Sequence, residues 1–272
     1  MVREEVDLAI EWAAREGWNP GLHDAEAFYA ADPGGFLVGL LDGEPVATLS
    51  AVRYGRDFGF MGFYIVAPQH RGRGYGLKLW NAGLTHLASR NVGLDGVLAK
   101  QANYQKSGFK LAYRNIRFQG KAAARKQLAP GIVDTVSLPF DLLEAYDQRS
   151  FPASRAVFLK RWVSQPDARA LAALDAEGQL QGYGVIRPCR SGYKIGPLLA
   201  ETPEIASSLF DSLAIGLEGP VFLDVPEVNP AAVALAQKNG MTAVFETARM
   251  FTGEAPRLPL ENIFGVTSFE LG

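Results

Sequence analysis

The sequence predicts an α/β (α+β) protein made of two tandem units, each a mixed, mostly antiparallel sheet flanked by helices. Three observations carry this reading. Helix-period segments open each half, a run of strand-like segments precedes a loop and an amphipathic helix, and the order of elements in the first half recurs in the second at a nearly constant offset.

Val6, Ile10, Ala13 and Ala14 repeat at helical spacing until "GWNPG" breaks the pattern, and "HDAEAFYAAD" reads as a second short helix. Three strands are then expected at Phe36 to Leu41, Val46 to Tyr54 and Phe58 to Ala67, the first two joined by Asp42-Gly43. After a glycine-rich loop, Leu77, Trp80, Leu84 and Leu87 form the apolar stripe of a helix lying on a sheet. "LDGVLA" reads as a short strand, "QANYQKSGF" as a helical turn or two stopped by Gly108, and "KLAYRNIRF" as a final strand.

The polar, basic stretch Gln119 to Gly131, "QGKAAARKQLAPG", is expected to hold a linker at 121–131, dividing a domain at 1–120 from one at 132–272. The second unit then supplies helices at Phe140 to Arg149 and Ser154 to Val163, a hairpin in "ARALAALDAEGQLQGYGVIRP", and a strand in "SGYKIGPLLA". The helix "IASSLFDSLAIGL", the strand "VFLDV", the helical segment "PAAVALAQKNGM" and the strand "TAVFETARMF" complete the repeat.

Composition bounds the function. The 272 residues are 48% apolar and 21% charged, enough for one large or two small cores. The lone Cys189 excludes an internal disulfide, and the charges of "MVREEVDLAIEWAAREG" do not suit a signal peptide, so a cytoplasmic protein is expected. A mean hydropathy of +0.01 predicts no membrane span, and a net charge of -2 with pI near 6.0 predicts no nucleic-acid partner. Histidines 23, 70 and 86 have no ligand spacing with carboxylates or Cys189, so no metal is expected.

The informative motif is "QHRGRGYG", Gln69 to Gly76. Successive N–H groups of a glycine-rich turn entering a helix form an anion nest, and Arg71 and Arg73 can add charge-assisted contacts. A solvated loop whose glycines serve only turn geometry is the alternative. Rossmann spacing fails because Leu77 lies three after Gly74, and a Walker loop fails because Gly76 is followed by Leu77 and then Lys78.

Gln69-x-x-Gly72-x-Gly74, between an apolar strand and an amphipathic helix, resembles the acyl-CoA pyrophosphate loop of the GNAT superfamily of N-acetyltransferases. The resemblance is strong over about residues 1–118 and architectural over 132–251, and the family's first strand has no clear counterpart. "EGWNPG", "QANYQKSGF", "FLKRW" and "GYKIGPL" look like the YitH-type group of tandem GNAT proteins. The resemblance implies acetyl-CoA as co-substrate, its pyrophosphate on Gln69, His70, Arg71, Gly72, Arg73, Gly74, Tyr75 and Gly76. It also implies a bulged strand end at Tyr64, Ile65 and Val66 whose N–H groups hold the thioester. Tyr104, four before Gly108-Phe109, matches the family's general acid, although it also reads as an ordinary amphipathic residue.

Trp18 and Asn19 are candidate acceptor contacts, while their turn equally reads as a rigid helix connection capped by a packed indole. No residue is assigned as base. In the second unit "PLLAETPEIAS" has no glycine or arginine and Ala236 stands where Tyr104 does, so that unit is expected to be degenerate, with one acetyl-CoA site per chain. Its Arg187, Arg190, Lys194, Asp224 and Asn229 read either as a pocket lining or as ordinary polar surface. The resulting expectation is acetyl transfer to a small-molecule amine or a protein lysine by a monomer or homodimer. The alternative is a non-catalytic acyl-CoA sensor.

Overall fold

The apolar stripe at the N-terminus buries Val6, Ala9, Ile10 and Ala13 on one face of α1 (Arg3–Arg15), and α2 (Asp24–Ala31) follows. In the computed structural model, which describes residues 1–121 and 127–272, the first unit continues with β1 (Phe36–Leu41), β2 (Glu44–Tyr54) and β3 (Phe58–Val66). The β1–β2 turn uses Asp42 and Gly43 at φ of 52° and 88°, the left-handed pair that a tight hairpin needs. Then come α3 (Tyr75–His86), β4 (Asn91–Val97), α4 (Gln101–Lys106) and β5 (Lys110–Lys121). The strand expected at "LDGVLA" starts earlier, at Asn91, because parallel pairing with β3 begins there, and Leu98–Lys100 forms a 3-10 turn.

The second unit runs β6 (Ile132–Asp134), α5 (Phe140–Gln148), α6 (Ala156–Trp162), β7 (Arg169–Leu174), β8 (Leu180–Pro188) and β9 (Tyr193–Ala200). It ends with α7 (Pro203–Leu213), β10 (Pro220–Pro226), α8 (Pro230–Lys238), β11 (Thr242–Phe251) and β12 (Ile263–Gly265). Residues 122–126, five of the eleven in the expected linker, lie outside the described residues.

All strands join one mixed, mostly antiparallel sheet ordered β1-β2-β3-β4-β11-β5-β10-β9-β8-β7-β6, with β12 on β9. The two units therefore exchange their last long strands. β11 inserts between β4 and β5, and β5 pairs with β10. On one face of the sheet a single core mixes Val6 of α1, Phe28 of α2 and Phe158 and Trp162 of α6. On the other face two separate cores form, one under α3 and one under α7 and α8.

Buried ion pairs cross the seam between the units. Arg117 of β5 grips Asp224 of β10 at 2.6 and 2.7 Å, Asp24 of α2 takes Arg187 of β8 at 2.7 Å, and Asp95 of β4 takes Arg249 of β11 at 2.6 Å. Arg187, Lys194, Asp224 and Asn229, candidates for a pocket lining, are instead buried in this seam and its surroundings, while Arg190 makes a surface pair with Glu11. Asn229 caps α8 through Ala232 N and donates to the carbonyls of Leu260, Glu261 and Ile263.

Residues 263–272, to which the sequence reading gives no element, are buried throughout. This tail starts on β9 as β12, bonds to Asp224 O through Val266 N at 2.8 Å, and crosses to the first unit, where Tyr54 Oη donates to Leu271 O at 3.1 Å.

Candidate active site

Two adjacent parallel strands that stop pairing leave a wedge between them. β3 and β4 pair only through Phe58–Met61 and Asn91–Leu94 before they diverge. Where they part, β3 also bulges. Ser50 opposes Gly62 and Thr48 opposes Ile65, so Phe63 and Tyr64 share one partner residue, and Phe63 takes a left-handed φ of 49°. Such a bulge leaves an extra residue out of the ladder and re-aims the backbone. Thr48 Oγ1 secures it by donating to Phe63 O at 2.9 Å. The expected bulge thus falls at Phe63–Tyr64, at the start of the Tyr64–Val66 stretch.

A cavity of about 390 Å³ fills the wedge. On one side it reaches the α3 N-terminus. Gly72 and Gly74 adopt φ of 76° and 81°, and Gly74 caps the helix with no side-chain hydrogen bond, so no side chain occupies the first-turn donors. A Cβ on Gly76 would stand 2.6 Å from Tyr64 Oη and 2.7 Å from Val66 Cγ2, so only glycine lets the helix start this close to β3.

Tyr104 borders the same cavity from α4. Its ring lies against Gly96, where a Cβ would come within 2.2 Å, and stacks on Trp80 at 5.5 Å and 30°. Trp80 is itself held by Ser107 Oγ at 3.1 Å and touches Tyr64 at 5.1 Å. Burial, with a smaller contribution from Tyr64, pushes the Tyr104 phenol up to about 12. It is a protonated donor throughout the neutral range.

The wedge brings together Tyr64, Ile65, Val66, His70, Arg71, Gly72, Gly74, Tyr75, Gly76 and Tyr104 along the cavity wall, and Trp18 at its far end. Gln69 and Arg73 stand exposed outside the wall. Arg71 turns inward, donating to Val66 O at 2.8 Å and pairing with Glu16 at the end of α1. Asn19 is also outside. Its side chain exchanges hydrogen bonds with Ser191 at 3.0 and 2.8 Å, and Lys194 Nζ and Arg117 Nη1 donate to the Asn19 and Trp18 carbonyls. The turn is thus fastened to the second unit. Burial, then the neighbouring Arg117, pushes the Lys194 ammonium below its ordinary range.

Part of the wall comes from residues the sequence reading did not single out. Asp95 lies where β4 diverges, bound to Arg249 and to Asn115 Nδ2 at 2.8 Å. Phe245 and Thr247 enter from β11, and Phe269 and Glu270 from the tail. The strand exchange and the tail path are long-range pairings with no local signature, so spacing could not place these four.

In the second unit β9 and β10 also pair briefly, over Tyr193–Ile195 and Val221–Leu223, but there β12 and Val266 occupy the divergence. The α7 N-terminus is self-capped, with Thr202 accepting from Ile205 N at 3.3 Å and Glu204 in the first turn. Hydrogen bonds from its own backbone N–H and from Thr202 hold the Glu204 carboxyl below its usual range. Those donors are taken.

Among the described residues no group of His, Cys, Asp or Glu is placed to hold a metal, and no helix is long and apolar enough to cross a membrane.

Comparison with known proteins finds the Acetyltransferase (GNAT) family over residues 5–109 and an Acetyltransferase (GNAT) domain over 143–265. The chain is 34% identical over 271 residues to the holothin acyltransferase of Pseudoalteromonas sp. (strain SANK 73390), covering 99% of this chain and 92% of the relative. It is 25% identical to YitH, an uncharacterized N-acetyltransferase of Bacillus subtilis (strain 168), over 82% of this chain and 79% of that one. The crystal structure of a proposed acetyltransferase from Pyrococcus horikoshii superposes with a TM-score of 0.84 at 20% identity, covering 100% of this chain and 94% of that one.

Proposed function

The chain belongs to the GNAT acyltransferases, with two GNAT domains in tandem, and from that premise we propose that it moves an acetyl group from acetyl-CoA to a small-molecule amine in a ternary complex. The observation that carries this reading is the convergence of three features on one cavity: the bulged β3, the open α3 N-terminus and the buried Tyr104. The relative's name makes holothin its acyl acceptor, which favours a small molecule over a protein lysine here.

In this reading the first-turn amides of α3 and the Gly72–Gly76 backbone hold the pyrophosphate, helped by the positive end of the helix dipole. The N–H groups released at the bulge polarise the thioester carbonyl, so the oxyanion finds its donors already in place. The amine nitrogen attacks the carbonyl carbon, the C–S bond breaks, and Tyr104 gives its proton to the departing thiolate.

A phenol at about 12 protonating a thiolate whose acid sits near 8.5 is uphill by roughly 5 kcal/mol as an isolated step. Tyr104 therefore donates in concert with proton loss from the attacking nitrogen, which restores the phenol. This makes its place between the two reacting centres matter more than its acidity.

Replacing Tyr104 by Phe tests the reading through thiol release and acetyl-CoA calorimetry. Turnover is expected to fall by roughly 10²–10⁴ with acetyl-CoA affinity unchanged within about threefold, and unchanged turnover would remove Tyr104 from the mechanism. The sensor alternative predicts acetyl-CoA binding with no transfer across a broad amine panel.

A further inference from the structure

The cavity wall contains the carboxylates Glu16, Asp95 and Glu270. Glu16 is paired with Arg71 and Asp95 with Arg249. Glu270, only 3% exposed, has no hydrogen-bond or ion-pair partner for its side chain among the described residues. Arg117, Arg187 and Lys194 act on its charge from a distance, but its carboxylate oxygens accept no hydrogen bond from the described residues, so the group that borders the cavity is left able to take a hydrogen-bonding cation or a transferable proton.

Its placement is fixed from both ends. The Glu270 carbonyl lies so close over Gly62 that a Cβ there would stand 2.1 Å away, which sets the residue beside the β3 bulge at Phe63. On the chain side, Leu271 N donates to Ser268 Oγ at 3.1 Å and Arg155 Nη1 donates to Gly272 O at 3.3 Å. Next to it Phe269 and Phe245 lie 6.2 Å apart, and Arg117 backs the Phe269 ring at 4.8 Å. The two tilted rings are too close to admit a group between them and form one apolar wall of the cavity, against which the body of an amine can lie while the adjacent carboxylate selects a positive end.

We propose that Glu270, carried on the tail of the second unit, binds the ammonium of a cationic primary amine with an apolar body and takes its proton before attack. The assignment rests on the acetyl-transfer reading of this cavity. The ammonium gives one proton to the Glu270 carboxylate, and the freed lone pair forms the C–N bond at the thioester carbon. As the C–S bond breaks, the thiolate takes the Tyr104 proton, and the second proton leaving nitrogen restores the phenol. Glu270 releases its proton to solvent, so one amide, one thiol and one proton leave per ammonium and thioester consumed.

The charged groups that act on this region are Arg117 of β5, Arg187 of β8, Lys194 of β9 and Asp224 of β10, with Asp24 of α2 paired to Arg187. Glu270 adds a third negative charge beside three cations, so its replacement perturbs stability as well as chemistry. The test therefore uses Glu270→Gln and Glu270→Asp together and reads amine discrimination, which a structural role would not move.

Phenethylamine, cationic at neutral pH, and 4-methylaniline, neutral there, serve as probes. Calorimetry without acetyl-CoA is expected to detect phenethylamine on the wild-type protein and not on Glu270→Gln. With acetyl-CoA, Glu270→Gln is expected to lose about 100-fold in kcat/KM for phenethylamine but under about threefold for 4-methylaniline. Glu270→Asp should keep the preference for the cation at reduced turnover. Equal losses for both amines, a Glu270→Gln variant that still binds phenethylamine, or a wild type that binds none would each overturn the proposal. Failure to bind acetyl-CoA would instead strike the acetyl-transfer reading and leave the amine-binding result standing.

Discussion

Tyr104 shows how one side chain is tuned by packing. Trp80 stacks on its ring, Gly96 leaves room for it, and burial lifts the phenol to about 12. Because the folded-state value lies above the ordinary one near 10, the proton is held more firmly and lost only as pH climbs towards the folded value. With an acceptor that is neutral across the range, such as 4-methylaniline, the rate against pH is thus expected to show no descending limb below about pH 10. A descending limb near pH 8 in kcat/KM, measured by thiol release, would show that the acid is some other group. The place of Tyr104 on the cavity wall was legible in the sequence from its distance to Gly108-Phe109. Glu270 was not, because nothing local marks a glutamate two residues from the end of the chain as facing a cavity on the other unit.

At the scale of the element, the two loop-helix junctions show how one fold leaves a helix N-terminus open or caps it. α3 begins at a left-handed glycine with no side-chain cap, whereas α7 begins at Thr202-Pro203-Glu204, which satisfies its own donors and adds a negative charge. The contrast was readable from "QHRGRGYG" against "AETPEIAS", since cap chemistry is local. What the residues could not disclose is the filling of the second wedge by β12, a pairing with β9 across some sixty positions.

Gly76 tests how closely α3 must approach β3. In Gly76→Ala the new methyl meets Tyr64 Oη and Val66 Cγ2; the tyrosine can swing aside but the valine cannot without moving the strand. Acetyl-CoA affinity should fall roughly tenfold, with a stability loss of about 1–3 kcal/mol. Calorimetry showing wild-type affinity would mean that the cofactor does not depend on this junction.

Over the whole molecule, the two units are joined by more than a linker. Exchange of β5 and β11, the common core under α1, α2 and α6, and the Asp24–Arg187, Asp95–Arg249 and Arg117–Asp224 pairs tie them into one sheet. Tandem duplication was visible in the sequence because element order is a one-dimensional property. The exchange was not, since β11 presents the same alternating pattern whichever neighbours it pairs with.

One consequence is that the seam governs the stability of both units. Asp24→Asn strips the charge from the carboxylate that holds Arg187 and the turn at Gly21, leaving the buried guanidinium without its ion-pair partner. A loss of roughly 3–5 kcal/mol is expected in a single cooperative denaturant transition. Two separate transitions, or a loss below about 1 kcal/mol, would show that the units behave independently.

One wedge of this double fold is expected to bind acetyl-CoA, and the other is closed by the chain itself. Diffraction from crystals grown with acetyl-CoA tests this most directly. One molecule per chain is expected, its pyrophosphate on the Gly72–Gly76 backbone and its thioester between the β3 bulge and Tyr104. Density for the pyrophosphate at the α7 N-terminus, or a thioester remote from Tyr104, would contradict it.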